Sequence, residues 1–212
     1  GSEEQRSSFL PRLASGELIG CFASDETGTD SSFDGLQTNF SNGRVSGEKI
    51  PVADGGIADF AIVLAKKEDS NSSAFIVDLN SAEVERIPVK SIDPSRDQAK
   101  LVFHDAPAEE LGDQVSGNII LGTVYDRAAI LFAWEQVGGS DTALNMAKAY
   151  AMERFAFGRP IASFQAIKHK LANVYVKNTL ARSNCYYGAW AISTNSEEIS
   201  IAAAAARLSS TQ

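Results

Sequence analysis

The chain has 212 residues, is 44% hydrophobic and 22% charged, and carries a formal net charge of −8. That profile belongs to a globular protein with a substantial core and excludes a disordered chain. The acidic balance argues against nucleic acid as a partner, because a polyanion needs a basic face. No apolar run approaches the ~20 residues of a membrane span.

Residues 3–16, EEQRSSFLPRLASG, read as the end of a helix closed by Pro11 and Gly16. Residues 1–16 are therefore expected to be the tail of a truncated helical domain. From Leu18 the pattern changes. Leu18–Ala23 is a short apolar run of strand type, and Asp25–Phe33 is a polar loop rich in turn formers. Leu36–Ser41 alternates, Asn42-Gly43 signals a two-residue hairpin turn, and Arg44–Ile50 returns as the partner strand. Further strands are predicted at Phe60–Ala65, Ala74–Leu79 and Ala99–Phe103. Short strands with turns and no helices between them predict an antiparallel sandwich or barrel over residues 17–112.

Residues 113–212 read as helices. Leu121, Val124, Ala128, Leu131 and Phe132 fall at helical spacing, and Phe164, Ile167, Leu171 and Val174 form a second stripe. Asn195, with Glu198 three residues later, reads as a capping box for an alanine-rich helix over Ser196–Leu208. The predicted fold class is thus α+β: an antiparallel β-sandwich or barrel followed by an incomplete antiparallel α-helical bundle. Charge divides with it. Residues 1–112 hold 10 basic and 20 acidic side chains, whereas residues 113–212 hold 9 and 7. The helical half is the better host for an anion.

One stretch of that half stands out: Tyr150–Gln165, YAMERFAFGRPIASFQ. Arg154 precedes Phe157 by three residues, the spacing of one helical turn. Gly158 then breaks the helix, and Ser163 is placed to cap the next one. An anion or ring system fits such a corner, with Arg154 and Arg159 able to reach a phosphate. Spacing alone equally describes an ordinary corner with a surface arginine. Elsewhere the signals are bland. His104 and His169 lack partners in sequence, and Glu109-Glu110 reads as a solvated linker. Glu135 sits beside Trp134 on a helix flank. Cys21 and Cys185 match no metal or redox spacing and read as buried free thiols, consistent with a reducing, cytoplasmic setting. No glycine-rich phosphate loop and no zinc motif is present.

Over nearly its whole length the sequence resembles the acyl-CoA dehydrogenase family. The segments that carry this are EEQRSSFLPRLASGELIG, GEKIPVADGGIADFAIVLAKK and, most specifically, YAMERFAFGRPIASFQAIKHKLANV. The resemblance implies FAD bound between subunits and an acyl-CoA thioester as substrate, in a homo- or hetero-oligomer of such subunits. It implies that Arg154 touches the flavin diphosphate of a partner, with Phe157 and Gln165 close to that flavin. It aligns SDETGTDSS with a flavin loop usually reading V-T-E-P-G-A-G-S-D. There Glu26, Gly28 and Ser31 match, while Asp25 replaces a threonine and Thr27 a proline. It aligns Pro51, Val52, Ala53, Asp54, Gly55 and Gly56 with a flavin element usually reading W-I-T-N-G-G. Asp126 matches a substrate-side position, and Ala128 stands where some members carry a catalytic glutamate. An arginine common at the next position is Ala129. The implied function is a flavoprotein dehydrogenase subunit, a fragment or partner lacking its own catalytic base; a non-catalytic acyl-CoA binder or scaffold is the alternative.

Overall fold

The computed structural model describes residues 1–27, 35–68, 72–112 and 117–211. The chain divides into two compact units, Gly1–Leu121 and Gly122–Gln212.

The first unit opens with helix α1, Glu3–Ser15. Ser2 and Gln5 form a reciprocal capping box at its start, and Gly16 closes it with φ +74°. Pro11 lies inside the helix and does not end it. Gln5 is buried. It ties α1 to the sheet by donating to the Glu110 carbonyl at 2.8 Å and accepting from the Gly112 amide at 2.9 Å.

Seven strands follow: β1 Gly20–Ala23, β2 Asn39–Ser41, β3 Arg44–Ala53, β4 Phe60–Lys67, β5 Ser72–Asp78, β6 Val84–Pro88 and β7 Gln98–Glu110. The pairings β4–β2–β3–β7–β5 return to β4, so the sheet closes on itself. Closure works because two long strands change partners along their length. One end of β4 pairs β1 and the other pairs β2, while β7 hands over from β6 to β5. The expected antiparallel sheet is corrected in part: β1–β4 and β2–β4 are parallel. A parallel neighbour needs a long crossover, and Phe60 at the start of β4 lies well beyond both Ala23 of β1 and Ser41 of β2 in sequence. β6 had no sequence signal; its burial pattern is mostly open, so it lacks the apolar alternation that marks a strand.

The hairpin signal at Asn42-Gly43 holds, with φ +49° and +77° and Ser41 paired to Arg44. Within β3 a bulge falls at Gly47, whose φ is +141°. A side chain there would lie 2.7 Å from the Thr38 backbone, so the close approach of that strand requires glycine. The interior is aliphatic: Val45, Val52, Val63, Val77 and Leu101 are fully buried around Phe75.

One exception sits in this interior. Lys49 has no exposed surface, and its ammonium lies 2.7 Å from the almost fully buried Glu26 carboxylate. The ammonium also donates to the Ser24 carbonyl at 3.1 Å. Glu26 accepts further hydrogen bonds from the Gln37 amide at 2.6 Å and the Thr38 amide at 3.1 Å. Burial opposes both charges. For Glu26 that penalty is outweighed by the hydrogen bonds from Lys49, Thr38 and Gln37, and its pKa falls below the ordinary value of 4.5. For Lys49 burial dominates and moves the ammonium pKa down. Glu109 and Glu110 are not a solvated linker: they end β7, where Glu110 pairs with Lys67 at 2.8 Å and accepts from Ser73.

The second unit contains most of helix α2, Gly117–Glu153, then α3, Gln165–Thr194, and α4, Ile199–Ser210. Its core is built from Ile130, Ala133 and Val137 of α2, Ala181 and Cys185 of α3, and Ala203 and Ala206 of α4. The expected α2 stripe holds only in part: Leu121 is buried and Val124 and Ala128 are half-buried, whereas Leu131 and Phe132 are exposed. Apolar and polar residues alternate around α2 with little bias to one side, so periodicity defines its inner face poorly. The second stripe is right in phase but incomplete. Ile167, Leu171 and Val174 lie on the face that continues through Asn178, Ala181, Cys185 and Gly188, and burial begins only at Asn178. Packing is close there: a side chain at Gly188 would sit 2.9 Å from Ile130. Asn178 accepts from Ser140 at 2.8 Å and donates to Asp141 at 3.1 Å, and Arg182 pairs with Asp141. Asn195 does not cap α4. It terminates α3 with φ +48°, and α4 starts after Glu198 with no side-chain cap. Asparagine tolerates the left-handed conformation, and that use competes with N-capping. Both cysteines are buried free thiols, and burial pushes Cys21 up to about 11.

Two outcomes test the buried pair. Lys49→Met strands the Glu26 charge and is expected to destabilise the first unit by about 3–5 kcal/mol, whereas Lys49→Met/Glu26→Gln costs less than the sum of the singles; urea unfolding measures both. Because Glu26 has a lowered folded-state pKa, its contribution is present above pH 4.5 and is lost as pH falls through the folded value. Glu26→Gln removes that part of the acid limb in a stability-versus-pH series.

Candidate functional site

The residues singled out by sequence fall in both units. Arg154, Phe157, Gln165 and Asp126 belong to the helical unit, whereas Asp25, Val52 and Ala53 belong to the β unit. Ser31 lies outside the described residues.

The segment after α2 is not a helix corner. Residues Phe155–Ala156 form strand β8 and Arg159–Pro160 strand β9, paired antiparallel with Phe155 opposite Pro160 and Ala156 opposite Arg159. Arg154 and Phe157 therefore do not share a helical face. The Arg154 amide closes the last turn of α2 onto Tyr150 at 2.9 Å, and its carbonyl accepts from Ile161 at 2.8 Å. A single 3-10 turn, Ile161–Ser163, leads into α3. Ser163 does not cap α3; its hydroxyl turns back to the Pro160 carbonyl at 2.7 Å.

The turn between β8 and β9 is Phe157-Gly158, with φ +54° and +79°. Positive φ at both central positions is the two-residue hairpin turn that asparagine–glycine satisfies best. The same chain uses Asn42-Gly43 for that geometry in the β unit. Phenylalanine pays twice here, in backbone strain and in exposure: its side chain is 95% exposed. Its ring meets Phe164 edge-on at 6.2 Å, and the Arg159 guanidinium stacks on the other ring at 4.2 Å. Arg154 is exposed and makes no ion pair among the described residues. Gln165, the first residue of α3, is exposed as well. The hairpin thus presents a guanidinium, an aromatic ring and an amide to the outside. Sequence found these residues but not the strain, because Phe-Gly is not a usual turn signal.

The β-unit candidates are placed differently. Asp25 is half-buried. Its carboxylate accepts from Ser24 at 3.1 Å, and its carbonyl accepts from the Ile50 amide at 2.8 Å. Val52 is fully buried, so only its backbone is available to a ligand. Pro51 and Ala53 are exposed. Asp25 offers only acceptors when ionised, and Ala53 offers no polar side-chain atom. Sequence reasoning missed Lys49, which holds this region together. The available signal was a lysine set among the apolar positions of a strand.

On α2, Asp126 is half-buried and accepts a hydrogen bond from Ser200 of α4. Arg127 donates to Asn195 at 3.3 Å. Ala128 and Ala129 are partly buried, and neither carries a group that can exchange a proton. Glu135 is exposed, and His104 lies 3.8 Å from Glu85 at the surface. Among the described residues no cluster of three metal-ligating side chains occurs, and no helix is long and apolar enough to cross a membrane.

A closed β unit joined to a helical unit, with an exposed cation–aromatic hairpin between two long helices, is an α+β architecture. Residues 118–212 match the model of the acyl-CoA dehydrogenase C-terminal domain. An acyl-CoA dehydrogenase of Bacillus subtilis is 33% identical over 202 residues, which is 89% of this chain and 53% of that protein. The structure of butyryl-CoA dehydrogenase from Megasphaera elsdenii superimposes with a TM-score of 0.91 at 26% identity, covering 100% of this chain and 58% of that one. A glutaryl-CoA dehydrogenase from Mycobacterium smegmatis, in complex with FADH2, matches with a TM-score of 0.75 at 26% identity, over 84% of this chain and 48% of that one. The chain belongs to the acyl-CoA dehydrogenase family, and it spans about half the length of the relatives it matches.

Asparagine at the turn separates cost from purpose. Phe157→Asn is expected to stabilise the helical unit by about 0.5–1 kcal/mol, read as a higher thermal midpoint, by relieving the left-handed strain and the exposed ring. An unchanged or lowered midpoint shows that Phe157 contributes to the unit's own packing.

Proposed function

We propose that the chain is a subunit of an FAD-dependent acyl-CoA dehydrogenase and that its hairpin serves a flavin held largely by another subunit. When bound, the flavin supplies a hydride acceptor for α,β-dehydrogenation of an acyl thioester. One observation supports the reading above others. The hairpin carries an outward, strained aromatic ring three residues after an exposed arginine that makes no ion pair among the described residues, an arrangement suited to a planar ring carrying a diphosphate. In this role Arg154 forms a forked, charge-assisted contact with phosphate. Phe157 supplies an apolar surface, and Gln165 supplies an amide that both donates and accepts.

The β unit fits a flavin poorly. Asp25 replaces a donor by an acceptor, Ala53 provides none, and exposed Pro51 offers little stacking surface. No step is assigned to a flavin on that face. Nor does α2 offer a base at Ala128, so proton abstraction falls to a group elsewhere in the assembly. Asp126, held by Ser200, is the substrate-side candidate on this chain. The same poverty of the β-unit face favours one second reading, a flavin-free scaffold or acyl-CoA binder.

The experiment is FAD retention by the full-length assembled protein. Arg154→Ala is expected to weaken FAD binding about 10- to 100-fold, the loss of one charged hydrogen-bonded contact. Equilibrium dialysis followed by flavin absorbance measures it. Unchanged binding removes the hairpin from the cofactor site, and absence of flavin from every assembly favours the scaffold.

A further inference from the structure

On the reading above, Asp25 and Ala53 face the edge of a flavin ring, which consists mostly of acceptors: carbonyl oxygens and ring nitrogens. An ionised carboxylate cannot donate to them, and a methyl group contributes nothing. The backbone that carries these side chains is nonetheless firmly held. Segment 24–27 is fastened to its neighbours at five points: Lys49 to the Ser24 carbonyl, Lys49 to Glu26, Gln37 and Thr38 amides to Glu26, and the Ile50 amide to the Asp25 carbonyl. Both oxygens of Glu26 are satisfied from within the chain. Among the described residues no buried side-chain nitrogen or oxygen lacks a partner. The frame therefore needs no ligand to hold its shape. The adjoining turn is held as well, with the Gly55 amide donating to the Val52 carbonyl at 3.3 Å.

We propose that Lys49 and Glu26 are positioning residues that keep this face of the β unit pre-formed, and that Asp25 and Ala53 are the residues that make it refuse the flavin. The defect lies in side chains on an intact frame, so it is reversible. Asp25→Asn keeps the shape and converts an acceptor into a donor, and the Ser24 contact survives on the amide oxygen. Ala53→Ser adds a hydroxyl at an exposed position.

The test uses the full-length assembled protein and has two readouts. Amide hydrogen exchange on flavin-free wild type is expected to show Gln37, Thr38 and Ile50 protected as strongly as the β4–β5 ladder. Fast exchange that slows only when FAD is added overturns the pre-formed frame. Asp25→Asn/Ala53→Ser is expected to bind FAD at least about 10-fold more tightly than wild type, corresponding to two new neutral hydrogen bonds. A folded variant with the same amide protection and no gain overturns the role of the two side chains. A wild-type protein that already carries one FAD on each copy of this chain refutes instead the reading that its own face is poor, and the two failures are thereby distinguished.

Discussion

A buried ion pair organises the β unit. Lys49 and Glu26 are out of water, and each is expensive alone. Together they join three segments that are distant in sequence: the stretch 24–27, the start of β2, and β3. The strands on either side depend on the result. β2 needs Thr38 pressed against Gly47, and β3 runs on to Pro51–Ala53 from an anchored Ile50. An aliphatic pair of equal size would fill the space, but it would leave the Gln37 and Thr38 amides and the Ser24 carbonyl without partners. Polar satisfaction, more than net electrostatic attraction, explains why charge is kept in an otherwise aliphatic barrel.

The helical unit follows another logic. Its core is made of small side chains, Ala133, Ala181, Ala203, Ala206 and Cys185, so the helices approach closely and Gly188 meets Ile130. Close approach concentrates polar contacts into one network, Ser140–Asn178–Asp141–Arg182. It leaves the first turns of α3, and much of α2, with apolar side chains such as Phe132, Tyr150 and Tyr175 at the surface. Exposed apolar area of that kind suits an oligomerising family. Against this background the hairpin is distinctive because it is locally unfavourable, and strain concentrated at an exposed aromatic is a mark of use.

Much of this was legible in the sequence. The β-then-α order, six of the seven strands, the Asn42-Gly43 turn and the α3 face all follow from local patterns. So does the family, from the segment around Arg154. What escaped notice has physical causes. β6 shows no apolar alternation, so periodicity passes over it. Apolar side chains are spread around α2 with little bias to one face, so its inward face is set by the neighbouring helices. Asn195 has two capping roles, and only tertiary context selects between them. Phe157-Gly158 looks like a helix break because phenylalanine is a poor turn former; it becomes a hairpin because Arg159–Pro160 can pair with Phe155–Ala156. Lys49 reads as a polar position in a strand until its partner, 23 residues earlier, is seen beside it.

On the proposed function, the helical unit presents a surface suited to a flavin and the β unit does not, so this chain would contribute to a flavin without holding it. The most direct measurement is the number of FAD molecules per copy of this chain in the native assembly, from flavin absorbance and quantified subunit composition. The account predicts fewer FAD molecules than subunits in the assembly, with the flavin remaining on the other subunits when the assembly is separated. One FAD on every copy of this chain, retained when it is alone, would contradict it.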